Sequence, residues 1–265
     1  MKISDPTNTI SVIRWRMLRA FAASLLMPGM MTSGALAVDL NSAAGFGVLA
    51  GSGITITGPT TIAGDIGSFP TASITGLENL TLNGVNHAGD ATTQAAKTDL
   101  LAAYLDAQGR TPTTTYGPIF DLGGLTLLPG VYNDPTSFGL TGTLTLDADG
   151  DPDAVWIFQA GSTLITGSNS LVDLIDGAQA RNVFWQVGSS ATLGTGTDFA
   201  GSILASESIT LATGASIDGG LYALNGAVTL DNNNLVVPVP EPGSLLLLAA
   251  GAVSLFSMRR RLRAV

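Results

Sequence analysis

Thr192, Thr210 and Thr229 each stand directly before a leucine, Leu193, Leu211 and Leu230, at steps of 18 (192 to 210) and 19 (210 to 229) residues. Three residues after each threonine come Thr195, Thr213 and Asn232, and two further on come Thr197, Ala215 and Asn234, with Gly196, Gly214 and Asn233 between. If the repeat stacks with equivalent residues side by side, the threonines form outward columns beside an inward column of leucine. Threonine carries a hydroxyl and a methyl on a β-branched stem whose χ1 is stiff. Such columns make a flat, short-chained, nearly uncharged surface. Two readings are open at this point. The surface is functional, or threonine is there as a good strand residue and glycine as a good corner.

Other chemistry is poorly supplied. Asp147, Asp149, Asp151 and Asp153 alternate like the start of a calcium loop. Counted from Asp147, however, Pro152 stands where such a loop requires glycine, and Phe158 stands where it requires glutamate. A solvated turn between Leu146 and Val155 is the better account. His87 is the only histidine and there is no cysteine, which argues against zinc, thiolate chemistry and disulfides. From Val38 to Pro240 there are 18 acidic residues and three basic ones (Lys97, Arg110 and Arg181), a balance of 3 − 18 = −15. An acidic body lacks the basic footprint that nucleic acid or anionic lipid requires. No paired carboxylates stand with a basic partner as a glycoside-cleaving site would need. An enzyme is not expected, and no cofactor or metal.

The elements that must position the columns follow from the same repeat. A period near 20 residues is the mark of a solenoid, whose coils bury their apolar faces by stacking. Ile203-Leu204, Ile209 to Leu211, Ile217 and Leu221-Tyr222 are short apolar runs, so roughly three strands and three corners fill one coil. Ile54 to Thr57 alternates as a strand, and Leu80 to Gly84 continues the pattern less regularly. Phe120 to Tyr132 reads as two short strands around Pro129-Gly130, and Leu140 to Leu146 as one alternating strand with threonine on one face. Val155 to Gln159 and Val183 to Val187 are similar buried strands that supply the bulky aromatics. Only the stretch 90–108 differs in kind. It is rich in alanine and leucine, has Asp90 as N-cap and Gly109 as its stop, and predicts a long helix. Its stripe of Ala91, Ala95, Thr98, Ala102 and Leu105 is expected to lie close against the solenoid.

Both ends carry processing signals. Arg14, Arg16 and Arg19 precede the apolar stretch from Ala20 to Met31, and Ala35 and Ala37 follow, the layout of a secretory signal peptide over 1–37 with cleavage after Ala37. At the other end Pro240-Glu241-Pro242 is followed by the apolar run from Ser244 to Met258 and by Arg259, Arg260, Arg261 and Arg263. An apolar run with arginines behind it is a stop-transfer arrangement. This one is about 15 residues, short of the roughly 20 that a permanent span needs.

The tail, 237–265, resembles the PEP-CTERM sorting signal of Gram-negative bacteria. That resemblance implies transient insertion of 244–258 in the inner membrane, recognition by an exosortase, removal of the tail and delivery to the outer surface or extracellular matrix, where exopolysaccharide is a further partner. The body, 38–236, resembles the microbial ice-binding proteins with a discontinuous β-solenoid. The stretches that carry the likeness are Thr57-Gly58-Pro59-Thr60, Leu122 to Tyr132, Gly150 to Gln159 and Asn182 to Val187. The resemblance implies an all-β-dominated, triangular solenoid whose first and last coils are adjacent, with the helix packed alongside. It also implies ice binding through one flat face, often marked Thr-(Ala/Gly)-x-(Thr/Asn). Thr57 to Thr60 and Thr166 to Asn169 fit that pattern, and Thr195 to Asp198 and Thr213 to Ser216 fit it in part. The expected contact residues are Thr57, Thr60, Thr166, Asn169, Thr192, Thr195, Thr197, Thr210, Thr213, Ser216, Thr229 and Asn232. The competing function is a cell-surface or matrix adhesin on the same scaffold.

Overall fold

The computed structural model describes residues 36–237. Every strand pairing in it is parallel, and parallel neighbours cannot be joined by a tight hairpin. The chain therefore winds around the body, laying one short strand on each of three faces per turn. Face A has nine strands and faces B and C have eight each. One regular coil is Val183–Val187 on face A, Ala191–Leu193 on face B and Asp198–Ala200 on face C. The next is Ser202–Ala205, Ile209–Leu211 and Ser216–Asp218, and the last is Leu221–Ala223, Ala227–Leu230 and Asn234–Val236.

The stacking order departs from the chain order. The last coil docks on the first, which is Phe46–Ala50, Gly53–Ile56 and Thr60–Ala63, with Leu221 beside Val48, Thr229 beside Thr55 and Asn234 beside Thr61. Two ends of the sequence thus meet inside the body, the discontinuity implied by the family resemblance. A long element must then carry the chain between the two ends of the stack. Nine strands leave eight gaps, about 38 Å in all. Helix α1 (Ala91–Gly109) is about 28 Å long. With its flanking connections it runs from Asn86–Ala88 at one end of face A to Thr114–Thr115 at the other.

The interior is filled by alternate side chains of all three faces. The Leu193, Leu211 and Leu230 column is inward and fully buried, as expected from the repeat. Val155 to Gln159 and Val183 to Val187 lie side by side, and Phe158 stacks on Trp185 with ring centroids 3.9 Å apart. The outward side of face A is buried as well, because α1 covers it. Asn133, Gln159, Gln186, Leu204, Tyr222 and Leu49 form one column there. Gln159 Nε2 donates to the carbonyls of Ala107 and Arg110, both at 2.8 Å, satisfying acceptors that a helix end leaves open. Gln186 Nε2 donates to the Tyr104 hydroxyl at 2.9 Å.

Three expectations are corrected here. The face of α1 that packs down is Thr93, Ala96, Leu100, Ala103, Tyr104 and Ala107. The stripe of Ala91, Ala95, Thr98, Ala102 and Leu105 looks outward to solvent. Small residues and leucines occur on both sides of this helix, so composition favoured neither; the side that packs is the one whose Tyr104 hydroxyl and Ala107 carbonyl meet Gln186 and Gln159. The stretch from Leu140 to Leu146 is not one strand. Gly142 takes φ +85° and turns the corner between Phe138–Leu140 on face B and Thr143–Asp147 on face C. Likewise Phe120 to Tyr132 holds parts of three strands, Phe120–Asp121, Thr126–Leu127 and Gly130–Asp134.

The signal-peptide and sorting segments fall outside the described residues. Among the described residues no helix is long and apolar enough to cross a membrane, and the 244–258 run lies beyond them.

Candidate functional site

Face A is closed by α1, which leaves faces B and C open. Face B strands are three or four residues long over most of the stack, and the middle residue points out. Parallel pairing places those middle residues in one unbroken column: Thr75, Thr55, Thr229, Thr210 and Thr192, then Ile165, Gly139 and Asp121. Five consecutive positions are threonine. At the strand spacing of parallel sheets the five span roughly 19 Å. Thr55, Thr75, Thr192 and Thr210 are exposed, and Thr229 is half-buried. Ile165 is 54% exposed and extends the column with a purely apolar side chain. The residues beneath, Ile54, Val228, Ile209 and Ala191 on one side and Ile56, Leu230, Leu211 and Leu193 on the other, are buried and hold the strands flat.

Beside this ladder runs the corner from face B to face C. Asn169, Gly196, Gly214 and Asn232 occupy equivalent left-handed positions, with φ of +57°, +68°, +76° and +54°. Asparagine and glycine are the residues that tolerate this conformation, which is why the corner repeats Gly or Asn. The residue after each turns inward. Thr197, Ala215 and Asn233 form that inward column, rather than Thr197, Ala215 and Asn234 as the bare spacing suggested. The cause is a shortened corner. Asp231 follows Leu230 directly, with no counterpart of Ala212, so Asn232 falls in the Gly214 position and Asp231 stands beside Thr213, accepting a hydrogen bond from its hydroxyl.

The structure therefore sorts the expected contact residues into four groups. Thr192, Thr210 and Thr229 lie in the ladder. Thr57, Thr195, Thr213, Asn169 and Asn232 are exposed along the adjoining corner. Thr60, Thr166 and Thr197 are buried and are corrected to internal pins. The Thr166 and Thr197 hydroxyls lie 2.8 Å apart, Thr197 also donates to the Gly167 carbonyl at 3.1 Å, and Thr60 donates to the Gly58 carbonyl at 2.9 Å. Ser216 is on face C, where its hydroxyl donates to Asp198 at 2.8 Å. Thr55, Thr75 and Ile165 were missed. Their signal was present in the apolar-Thr-apolar triplet Ile54-Thr55-Ile56, which matches Ile209-Thr210-Leu211, and in Ile74-Thr75.

Face C is of another character. Its outward positions include Asp173, Asp198 and Asp218 among Leu171, Val236 and small residues. Burial, and then the nearby Asp198 charge, push the Asp218 carboxyl above its ordinary range. The Asp147 to Asp153 turn spends its carboxylates locally: Asp147 accepts from the Asp149 N–H and Asp151 from the Asp153 N–H, both at 2.9 Å.

Comparison with known proteins gives the same architecture. The ice-binding-like family model matches residues 48–236, and the PEP-CTERM protein-sorting motif matches residues 238–261. An ice-binding protein of Nostoc sp. (strain HG1) is 47% identical over 84% of this chain and 87% of its own length. A crystal structure of an ice-binding protein from the Antarctic ascomycete Antarctomyces psychrotrophicus is 42% identical with a TM-score of 0.75, covering 77% of this chain and 100% of that one. An ice-binding protein from an Antarctic biological consortium is 44% identical with a TM-score of 0.76, over 78% and 94% of the two chains. The chain belongs to the ice-binding-like family, and it carries a PEP-CTERM sorting motif behind the solenoid.

Proposed function

We propose that this protein binds ice through face B, with the ladder of Thr75, Thr55, Thr229, Thr210 and Thr192 as its centre. One observation carries the reading: among the described residues, five consecutive coils of the stack place a threonine outward, in register, on a face that α1 does not cover and whose outward column holds a single carboxylate, Asp121, three positions beyond the ladder. Ice is a repeating surface of water, and a ligand for it must offer repeating groups at fixed positions. The ladder does so at about the 4.8 Å strand spacing. Each threonine offers one hydroxyl to hydrogen-bond water and one methyl that water surrounds without hydrogen-bonding. Stiff χ1 angles on a stacked solenoid mean that little side-chain freedom is lost on binding. Thr57, Thr195 and Thr213 extend the same surface around the corner. The reading requires no catalysis and no cofactor.

The family names of the relatives support ice as the ligand, and the sorting motif supports export. Under this reading residues 1–37 are a signal peptide, the 237–265 tail is recognised by an exosortase during passage through the inner membrane, and the body reaches the outer surface or matrix of a Gram-negative cell, where exopolysaccharide is a neighbour. Thermal hysteresis and ice-recrystallisation assays on residues 38–236 test the function. The expected result is faceted crystal growth and a freezing point below the melting point. Unmodified crystals at high protein concentration would reject ice binding.

A further inference from the structure

The position at which the chain leaves the fold bears on how the protein is used. The body is a three-faced prism, so each face lies opposite one edge. Face B is opposite the edge where face C passes into face A. The last strand, Asn234–Val236, is on face C, and Val237 sits at that edge. There the Val237 N–H donates to the Ala63 carbonyl at 3.1 Å, next to the Ala63-Gly64-Asp65 corner of the adjoining coil. A Cβ on Gly64 would lie 2.6 Å from Val237 Cγ2, so Val237 is held closely in place. The N-terminal side reaches the same edge. Ala37, Val38 and Val237 line one cavity of about 280 Å³, and Val38 is buried. The expected signal-cleavage point after Ala37 and the exit toward the sorting motif are thus neighbours. Pro240 is three residues beyond Val237 in the sequence.

We infer that a chain held to the cell through its C-terminal segment presents the threonine ladder away from the surface that holds it, so that the attached protein fastens its cell to ice. This rests on the face B reading above and adds to it the orientation and the cellular consequence. An exit at either edge of face B would have pressed the ladder toward the attachment surface. The exit lies instead at the opposite edge, flanked by the helix-covered face A and by face C. The outward carboxylates of Asp173, Asp198 and Asp218 on face C are repelled by an anionic envelope and hold the body off it. A tethered protein works only with its ice face on the far side.

The test uses the full chain in an exosortase-bearing host, scoring cells that adhere to a growing ice surface and, separately, the ice activity of the chain released from those cells by protease. The expected result is that cells displaying the full chain adhere. Cells displaying Thr210→Tyr at the same surface density should detach at least tenfold more often. If displaying cells fail to adhere while the released chain shapes ice, the orientation is wrong and the face B reading stands. If the released chain is itself inactive, the face B reading fails and this inference fails with it. If all of the chain appears in the medium and none on cells, attachment is refuted while ice binding is not.

Discussion

Thr229 and Thr55 lie side by side across the seam where the last coil meets the first, in the same register that links Thr229 to Thr210. The ladder therefore runs through the discontinuity of the fold without a break. A face assembled from both ends of the chain is complete only when the seam is closed. Strand registry across the seam, from Leu221 beside Val48 to Val236 beside Ala63, is the structural condition for the five-threonine array.

Ile165→Thr tests whether the array is what matters. Ile165 is exposed and in register with Thr192, so the substitution lengthens the ladder from five threonines to six. Thermal hysteresis should rise at equal protein concentration, while stability stays within about 0.5 kcal/mol, as is usual for a surface change. Unchanged or lower hysteresis would show that an apolar group at this position serves as well as threonine or better.

The corner is predicted to be subordinate to the ladder. Thr213→Tyr places its bulk at the turn beside Asp231, off the flat of face B. It should lower ice activity clearly less than Thr55→Tyr, although Thr55 lies outside the regular repeat. Crystal-growth rates measured for both variants decide the order, and the reverse order would move the centre of the site to the corner.

Thr197→Val tests the internal role assigned to the buried hydroxyls. It removes the partner of Thr166, whose oxygen also accepts from the Gly194 N–H at 2.9 Å. The expected cost is about 1–3 kcal/mol in chemical denaturation, the penalty for disturbing a buried polar group. Ice activity per folded molecule should not change. A loss of activity with stability intact would place Thr197 at the ice surface after all.

His87 should make stability depend on pH. Its Nε2 lies 3.1 Å from Asp65 and its Nδ1 3.1 Å from Asp90, which also caps α1 through the Thr93 N–H at 2.9 Å. Partial burial lowers the imidazole pKa, and the hydrogen bonds to Asp90 and Asp65 more than offset this, so the pKa is raised. A raised folded-state value means the contribution is complete below the ordinary histidine pKa of about 6.5 and is lost as pH climbs through the folded value. The melting temperature of the native protein should therefore fall over that window relative to His87→Gln. Parallel pH profiles for the two proteins would remove His87 from the account.

Much of the fold was legible in the sequence because the repeat is regular where it matters. Leu193, Leu211 and Leu230 recur closely enough to reveal an inward column, and the contrasting composition of 90–108 revealed the helix. The helix orientation was not legible, because alanines lie on both sides and only contact with Gln159, Gln186 and Leu204 settles which side packs. The site was half legible. Thr192, Thr210 and Thr229 follow from spacing, but a one-residue deletion after Leu230 shifts Asn232 into the turn, and counting residues cannot show it. Thr197 looks like its exposed neighbours in sequence, because inward and outward positions at a corner depend on φ at Gly196, not on residue type. Thr166 is turned inward by strand alternation, in the column of Leu140, at a position where the neighbouring coils carry leucine. Thr55 and Thr75 belong to coils whose place in the stack is set by the seam.

The central claim, that face B meets ice through its threonine ladder, is tested most directly by thermal hysteresis of Thr210→Tyr beside Thr145→Tyr. Thr210 is at the heart of the ladder, and Thr145 is the equivalent outward threonine on face C. With both variants folded by circular dichroism and melting within a few degrees of the native protein, Thr210→Tyr should lose nearly all hysteresis and Thr145→Tyr should keep it. Full hysteresis in Thr210→Tyr, or its loss in Thr145→Tyr, would contradict the assignment of face B.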